Sequence, residues 1–170
     1  MAEKQRSYRE IRFWQRFYAR LFPYFCTKIR TKIESMQETA ENAPLDHPAE
    51  QTTTSTQLSE LVVLGMLEKK AEDVVIMDMR EVKTAVADYF VICSGNSDTQ
   101  IDAISESIEE HVRKASTQKP WKREGRAHRE WILIDYVDVV VHVFNKEKRK
   151  FYGLEELWGD AKIQQITEAN

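Results

Sequence analysis

The sequence predicts a small α/β sandwich, in which helices pack on a mixed β-sheet. Segments with the 3.6-residue period of amphipathic helices alternate with short apolar segments that are typical of strands. The last two strands are joined by the tight link Tyr136-Val137, and a connection this short requires an antiparallel pair. With 170 residues, 42% of them hydrophobic, the chain has room for one such domain and a tail.

Two segments precede the predicted domain, which we place at residues 55–167. Residues 1–35 form a basic, aromatic extension with nine Lys and Arg but only three Asp and Glu. A helix over residues 8–22 would suit a membrane surface or an acidic partner, whereas translation starting at Met36 would make the extension an artefact. Residues 36–54 lack periodicity and contain two prolines and a Thr run, so we expect a flexible linker.

The charge of the chain is divided unevenly. The extension carries +6, which leaves −9 for the remaining residues out of a total of −3. An acidic domain argues against a broad basic face for nucleic acid and leaves a basic protein as a suitable partner. No apolar run approaches the roughly 20 residues of a membrane span. Cys26 and Cys93 are far apart, so we expect a reducing, cytoplasmic setting without a membrane partner.

The first half of the domain is predicted to hold one helix and two strands. Ser55 or Thr56 caps the helix, which ends near Lys70. Residues 73–79 form a strand apolar enough to be buried on both faces, and residues 87–95 form a second strand. The inward residues of the helix recur at helical spacing: Leu58, Leu61, Val62 and Leu67.

The second half is predicted to hold a helix, two strands and a short helix. Ser97 is the expected N-cap of the first helix, with Gln100 three residues later. Residues 119–128 form a loop, two strands flank Tyr136-Val137, and residues 151–161 contain the short helix. The apolar face of the longer helix is Ile101, Ile104, Ile108 and Val112.

The turn Ser94-Gly95-Asn96-Ser97 lies between a strand and a helix, where many proteins hold a phosphate. A nucleotidyltransferase or nucleotide sensor is therefore the alternative function. A dinucleotide fingerprint would need three glycines, and only Gly95 is present. The nearby acidic pair, Asp135 and Asp138, is spaced by three residues instead of the two that share a strand face, so the magnesium clamp is missing.

No other catalytic or metal-binding pattern is present in the sequence. No Ser or Cys is paired with a matching base, so we predict that the protein is not an enzyme and needs no cofactor. His142 lies within a strand, where a half-buried structural histidine is more common than a catalytic one. The remaining histidines, at positions 47, 111 and 128, lack metal-ligand spacing.

Aromatic and acidic residues are concentrated in the last forty residues. Trp131 and Asp135 alternate along one strand and therefore share a face. An exposed aromatic side chain among carboxylates is typical of a binding hot spot for a basic protein. Core packing is the equally weighted interpretation of Trp131.

Three blocks of sequence resemble one family. "ADYFVICSGNSDTQIDAI", "WILIDYVDVVVHVF" and "FYGLEELWGDA" are similar, in order and spacing, to the Iojap family of ribosomal silencing factors, RsfS. The resemblance covers about residues 58–161. It implies a nucleotidyltransferase-like fold without catalytic carboxylates, and binding to a basic protein of the large ribosomal subunit, universal protein fourteen. The bound protein would sterically block joining of the small subunit and so repress translation, or accompany large-subunit maturation.

The resemblance also implies a partner-binding surface and the capacity to form a homodimer. The turn departs from the family pattern D-Y-G-D, since Val137 stands in this chain where the family has glycine. Glycine allows a positive φ at little cost, whereas a β-branched residue resists it. Leu154 and Leu157 are expected in the core. The implied partner-binding residues are Trp131, Asp135, Tyr136, Asp138, His142, Tyr152, Glu155 and Trp158.

Overall fold

The structure is a computed structural model that describes residues 53–83 and 85–167. The predictions for residues 1–35 and for nearly all of the linker lie outside these described residues. The helices of the described part are α1 (Ser55–Glu68), α2 (Asp98–Ser116), α3 (Lys146–Tyr152) and α4 (Leu154–Leu157). The strands are β1 (Glu72–Asp78), β2 (Tyr89–Gly95), β3 (Lys122–Glu124), β4 (Trp131–Asp135), β5 (Val139–Asn145) and β6 (Lys162–Ile166).

The six strands form one mixed sheet in the order β3-β4-β5-β2-β1-β6. β2 and β5 run parallel at its centre, and the other neighbouring pairs are antiparallel. The predicted mixed sheet and the antiparallel pair around Tyr136-Val137 are therefore confirmed. Because β2 and β5 are parallel, the turn that follows Gly95 and the turn that precedes Val139 lie at opposite ends of the sheet.

Helices α1 and α2 cover one face of the sheet with aliphatic side chains. The predicted apolar face of α2 is buried, as are Leu58 and Val62 of α1, whereas Leu61 and Leu67 are partly buried. The two helices approach closely at Gly65, where an added Cβ would lie 2.7 Å from the Cα of Ile108. Glycine therefore permits a helix contact that any larger residue would open.

The second face of the sheet is aromatic and is covered by the chain after β5. Trp131, Phe144 and Tyr152 stack there, with centroid distances of 4.6 Å from the indole to each of the other two rings. Phe90 lies beside them and meets the half-buried Trp158 edge to face at 6.0 Å. The second face is thus a core layer of its own, in which large rings pack with buried aliphatic residues, such as Ile92 and Leu133, that lie outside the cluster beneath α1 and α2.

Three elements differ from the sequence prediction. β3 lies within the predicted loop and β6 follows the predicted last helix, and both are edge strands with polar residues that give no apolar alternation. The charged segment before Phe151 is helical, because the Asn145 side chain accepts from the Lys148 N–H at 2.7 Å and caps α3. Gly153, at φ +51, ends α3 and separates it from α4.

The caps of α1 and α2 agree with the sequence prediction to within one residue. Ser97 caps α2 as predicted, and its hydroxyl accepts from the Gln100 N–H at 3.2 Å. Thr54, one residue before the predicted caps, caps α1 through a capping box with Gln57. Among the residues that the structure describes, no helix has both the length and the apolar character to cross a membrane.

Candidate partner-binding surface

The β4–β5 turn holds three of the predicted binding residues in a closely bonded arrangement. The Tyr136 N–H donates to the Val139 carbonyl at 2.9 Å and closes the hairpin. The Asp135 side chain, only 1% exposed, accepts from the Val137 N–H at 2.7 Å. Asp135 therefore stabilises the turn, because its carboxylate accepts from the Val137 N–H, a backbone donor that the β4–β5 strand pairing does not use.

Val137 adopts the left-handed conformation that the sequence made doubtful, with φ +77. The Asp138 N–H donates across it to the Tyr136 carbonyl at 3.1 Å, which makes a γ-turn of the rare, positive-φ kind. The turn thus keeps the geometry that suits glycine, although a β-branched residue occupies it. A non-glycine residue there is strained and persists only because its surroundings fix it.

Trp131 is part of the core of the second face instead of an exposed anchor. Its side chain is only 4% exposed, beneath Tyr152 and against Phe144. The indole N–H donates to Nδ1 of His142 at 3.2 Å. Complete burial lowers the pKa of His142 to about 3, so the imidazole is neutral. Of the two interpretations of Trp131, the structure supports packing.

Tyr136 and Tyr152 are buried as well, one on each face of the sheet. Tyr136 belongs to the core beneath α1 and α2, and burial raises the pKa of its phenol. Tyr152 covers Trp131. Both side chains therefore pack beneath the candidate binding surface and contribute little exposed area to it.

The last two predicted residues, Glu155 and Trp158, are partly exposed. The Glu155 carboxylate accepts from Arg149 Nε at 2.9 Å. Arg149 also donates to the Asp73 carbonyl at 2.6 Å and to Ser94 Oγ at 3.0 Å, which joins α3 to β1 and β2. Trp158 packs on Phe90. Leu154 is buried as expected, and Leu157 is half-buried.

Asp138 is the predicted binding residue with the greatest exposure, and two exposed apolar residues that were not among the predicted ones lie at the same end of the sheet. Val137 is 43% exposed at the same turn, and Trp121, which precedes β3, is 66% exposed. The Trp121 N–H donates to the Asp135 carbonyl at 2.7 Å, so Trp121 lies at the hairpin end of the sheet. The signal for Trp121 was its position in a loop between two lysines and after a proline.

The turn after Gly95 is occupied by contacts within the chain. The Asn96 N–H donates to Gln100 Oε1 at 2.7 Å, and the Asn96 amide bonds the Glu72 carboxylate. An added Cβ on Gly95 would lie 2.8 Å from Ile101 Cγ1, so glycine here allows β2 to meet α2. One backbone donor of the turn is thus already used, and the Asn96 side chain is bonded to Glu72, which is itself paired with Lys146.

Other possible sites are not supported by the described residues. Within residues 53–83 and 85–167, no three His, Cys, Asp or Glu side chains are grouped as metal ligands would be. Burial raises the pKa of the Cys93 thiol to about 12, which makes it unreactive. A groove of about 690 Å³ lies between α1 and the β1–β6 edge. Within it the Arg80 side chain donates to the Asp78 carboxylate and lies over the Tyr89 ring.

Comparison with known proteins gives a consistent result. The family model described as "Ribosomal silencing factor during starvation" matches residues 52–170. Ribosomal silencing factor RsfS of Bacillus subtilis is 46% identical over 99 residues, covering 58% of this chain and 82% of that protein. Ribosomal silencing factor RsfS of Halalkalibacterium halodurans is 41% identical over 113 residues, covering 66% and 95%.

A solved structure agrees with the fold. A crystal structure of a Chromobacterium violaceum protein superimposes with a TM-score of 0.59 at 27% identity, covering 68% of this chain and 95% of that one. The matched blocks of sequence, the α/β sheet and the family model all point the same way. The chain belongs to the RsfS family of ribosomal silencing factors.

Proposed function

We propose that this protein represses translation by binding universal protein fourteen of the large ribosomal subunit, in the compartment where the ribosomes work. Family membership supports the silencing role. The observation that carries the choice of surface is the β4–β5 turn, which exposes the Asp138 carboxylate on a fixed backbone. A basic ribosomal protein would meet this carboxylate through Arg or Lys.

The mechanism would be steric and would need no chemistry. A domain of this size, seated on the face of the large subunit that joins the small subunit, excludes the small subunit by occupying its place. The internally bonded turn after Gly95 favours this account, because a nucleotide-dependent mechanism would need open phosphate ligands at that turn.

Co-sedimentation tests the proposal. The full chain is mixed with separated small and large subunits and with joined ribosomes, and each mixture is run on a sucrose gradient. We expect migration with the large subunit alone and fewer joined ribosomes when all parts are mixed. Migration with neither subunit, or with the small one, would contradict the proposal.

A matched pair of charge reversals tests the surface. Asp138→Arg should lower the affinity for the large subunit about tenfold, because it replaces an attractive charge by a repulsive one. Asp98→Arg is the control, since Asp98 is also exposed but begins α2 at the other end of the sheet. Equal binding by both variants would refute the assignment of Asp138.

A further inference from the structure

Two exposed apolar residues, Trp121 and Val137, lie at the hairpin end of the sheet, where Asp138 is exposed as well. We call Trp121, Val137 and Asp138 the tip surface. Trp121 and Val137 are 66% and 43% exposed, although the rest of the sheet buries its large rings. Exposed apolar groups at one end of a domain, with charged residues near them, are typical of a protein interface.

Asp135 bonds both backbone segments of the tip surface. The Asp135 carbonyl accepts from the Trp121 N–H, and its carboxylate accepts from the Val137 N–H, both at 2.7 Å. Asp135 therefore sets the spacing between two segments that are far apart in sequence. A surface prepared in this way loses less conformational entropy when a partner binds.

The backbone at Val137 is held by a second set of bonds. The Asp138 carbonyl accepts from the Asp88 N–H at 2.8 Å and the Tyr89 N–H at 3.1 Å, which fastens the turn to the start of β2. A β-branched residue at φ +77 is otherwise disfavoured, and strain of this kind is concentrated at functional sites. The presence of valine at this position therefore suggests that its side chain has a role that glycine could not fulfil.

We propose that the tip surface is the contact with the ribosomal protein, with Trp121 as its aromatic anchor and Val137 as an apolar contact. This rests on the proposed function and names its recognition residues. Lys119 and Lys122 flank Trp121 along the chain, and Asp138 follows Val137, so charges of both signs lie close in sequence to the two apolar groups. An apolar centre with a mixed rim suits a protein surface better than RNA, which would favour a basic rim around the aromatic ring.

The test measures the affinity of full-length variants for the large subunit. Trp121→Ala should weaken binding about tenfold or more, as truncation of an aromatic anchor does. Val137→Thr keeps the β-branch and the strained backbone but replaces a methyl by a hydroxyl, and it should weaken binding several-fold. Phe151→Ala is the matched control, because Phe151 is 71% exposed and lies on α3, which follows the other end of β5.

A glycine variant separates the side chain from the backbone. Val137→Gly should raise the Tm by about 4 °C, because it relieves the positive φ, and should still bind less tightly than the unaltered chain. Val137→Ile keeps the apolar branch and should bind as the unaltered chain does. Wild-type affinity in both Val137→Gly and Trp121→Ala would overturn the inference.

The outcomes also distinguish this inference from the proposed function. If the unaltered chain does not bind the large subunit, the proposed function fails. If it binds and the tip variants bind equally well, the function stands and the inference fails. A further arm uses isolated universal protein fourteen and protein-free large-subunit RNA, and loss of RNA binding alone in Trp121→Ala would overturn the choice of a protein partner.

Discussion

The two tight turns at opposite ends of the central strands differ in their residue composition, and their hydrogen bonding differs in the opposite sense to what that composition suggests. The turn after Gly95 has the small residues of a phosphate site, yet its Asn96 N–H and side chain are used within the chain. The β4–β5 turn has no such pattern, yet it holds a strained residue and an exposed carboxylate. The residue composition indicated where the chain turns, whereas hydrogen bonding and exposure indicate which turn has groups available to a binding partner.

The glycine of one turn and the valine of the other each occupy a position that their usual backbone preferences would not predict. Glycine at position 95 allows close packing without a positive φ, and valine at position 137 accepts a positive φ without packing fully. Changes at the two positions should therefore have opposite effects on stability.

The largest effect is expected at the carboxylate beneath the β4–β5 turn. Asp135→Ala should lower the free energy of unfolding by about 3 kcal/mol, because it removes a buried acceptor and leaves the Val137 N–H without it. Asp135→Asn keeps an oxygen at the same place and should cost about 1 kcal/mol. Urea denaturation measures both. Equal losses in the two variants would show that the bond to Val137 is unimportant.

A side chain added at the other turn should have the next largest effect. Gly95→Ala should cost about 2 kcal/mol, because the new methyl group meets the fully buried Ile101. Gly159→Ala is the control, since its Cβ would make only an ordinary contact at 3.5 Å. Thermal or chemical denaturation of the pair should show the difference, and equal stability would refute the packing role of Gly95.

A side chain removed at the β4–β5 turn should have the opposite sign. Val137→Gly should raise the free energy of unfolding by about 1 kcal/mol, because relief of backbone strain exceeds the added chain entropy of glycine. The measurement is the same denaturation series. A loss of stability would mean that Val137 packs more than its exposure suggests.

The smallest effect concerns nucleotides. Millimolar ATP or GTP with Mg²⁺ should shift the Tm by less than about 1 °C, since binding to the folded state alone would raise it. Differential scanning fluorimetry of the full chain measures this directly. A larger shift would restore the turn after Gly95 as a ligand site.

Periodicity and cap chemistry were sufficient to predict much of the fold. The apolar stripe of α2, its Ser97 cap and the β4–β5 hairpin follow from local patterns, and all three are present. Alternation placed Trp131 and Asp135 on one face, but it cannot show what covers that face, which depends on where α3 folds back. The assignment of the binding site to this hairpin therefore stays a prediction, and the burial of Trp131 and Asp135 could not be predicted from the sequence.

Other features depend on tertiary context alone. The positive φ of Val137 contradicts its intrinsic preference and is imposed by bonds from Asp135, Asp88 and Tyr89. The exposure of Trp121 likewise depends on how far β3 extends along β4. A local pattern cannot encode either feature in full, because Asp88, Tyr89 and the pairing of β3 with β4 bring in residues that are distant in sequence.

A cryo-electron microscopy reconstruction of the full chain on the large subunit would test the central claim most directly. We expect the β4–β5 turn, with Trp121 and Val137, to face the ribosomal protein and the turn after Gly95 to face solvent. A complex in which the turn after Gly95 meets the ribosome and the β4–β5 turn is open to solvent would contradict this expectation.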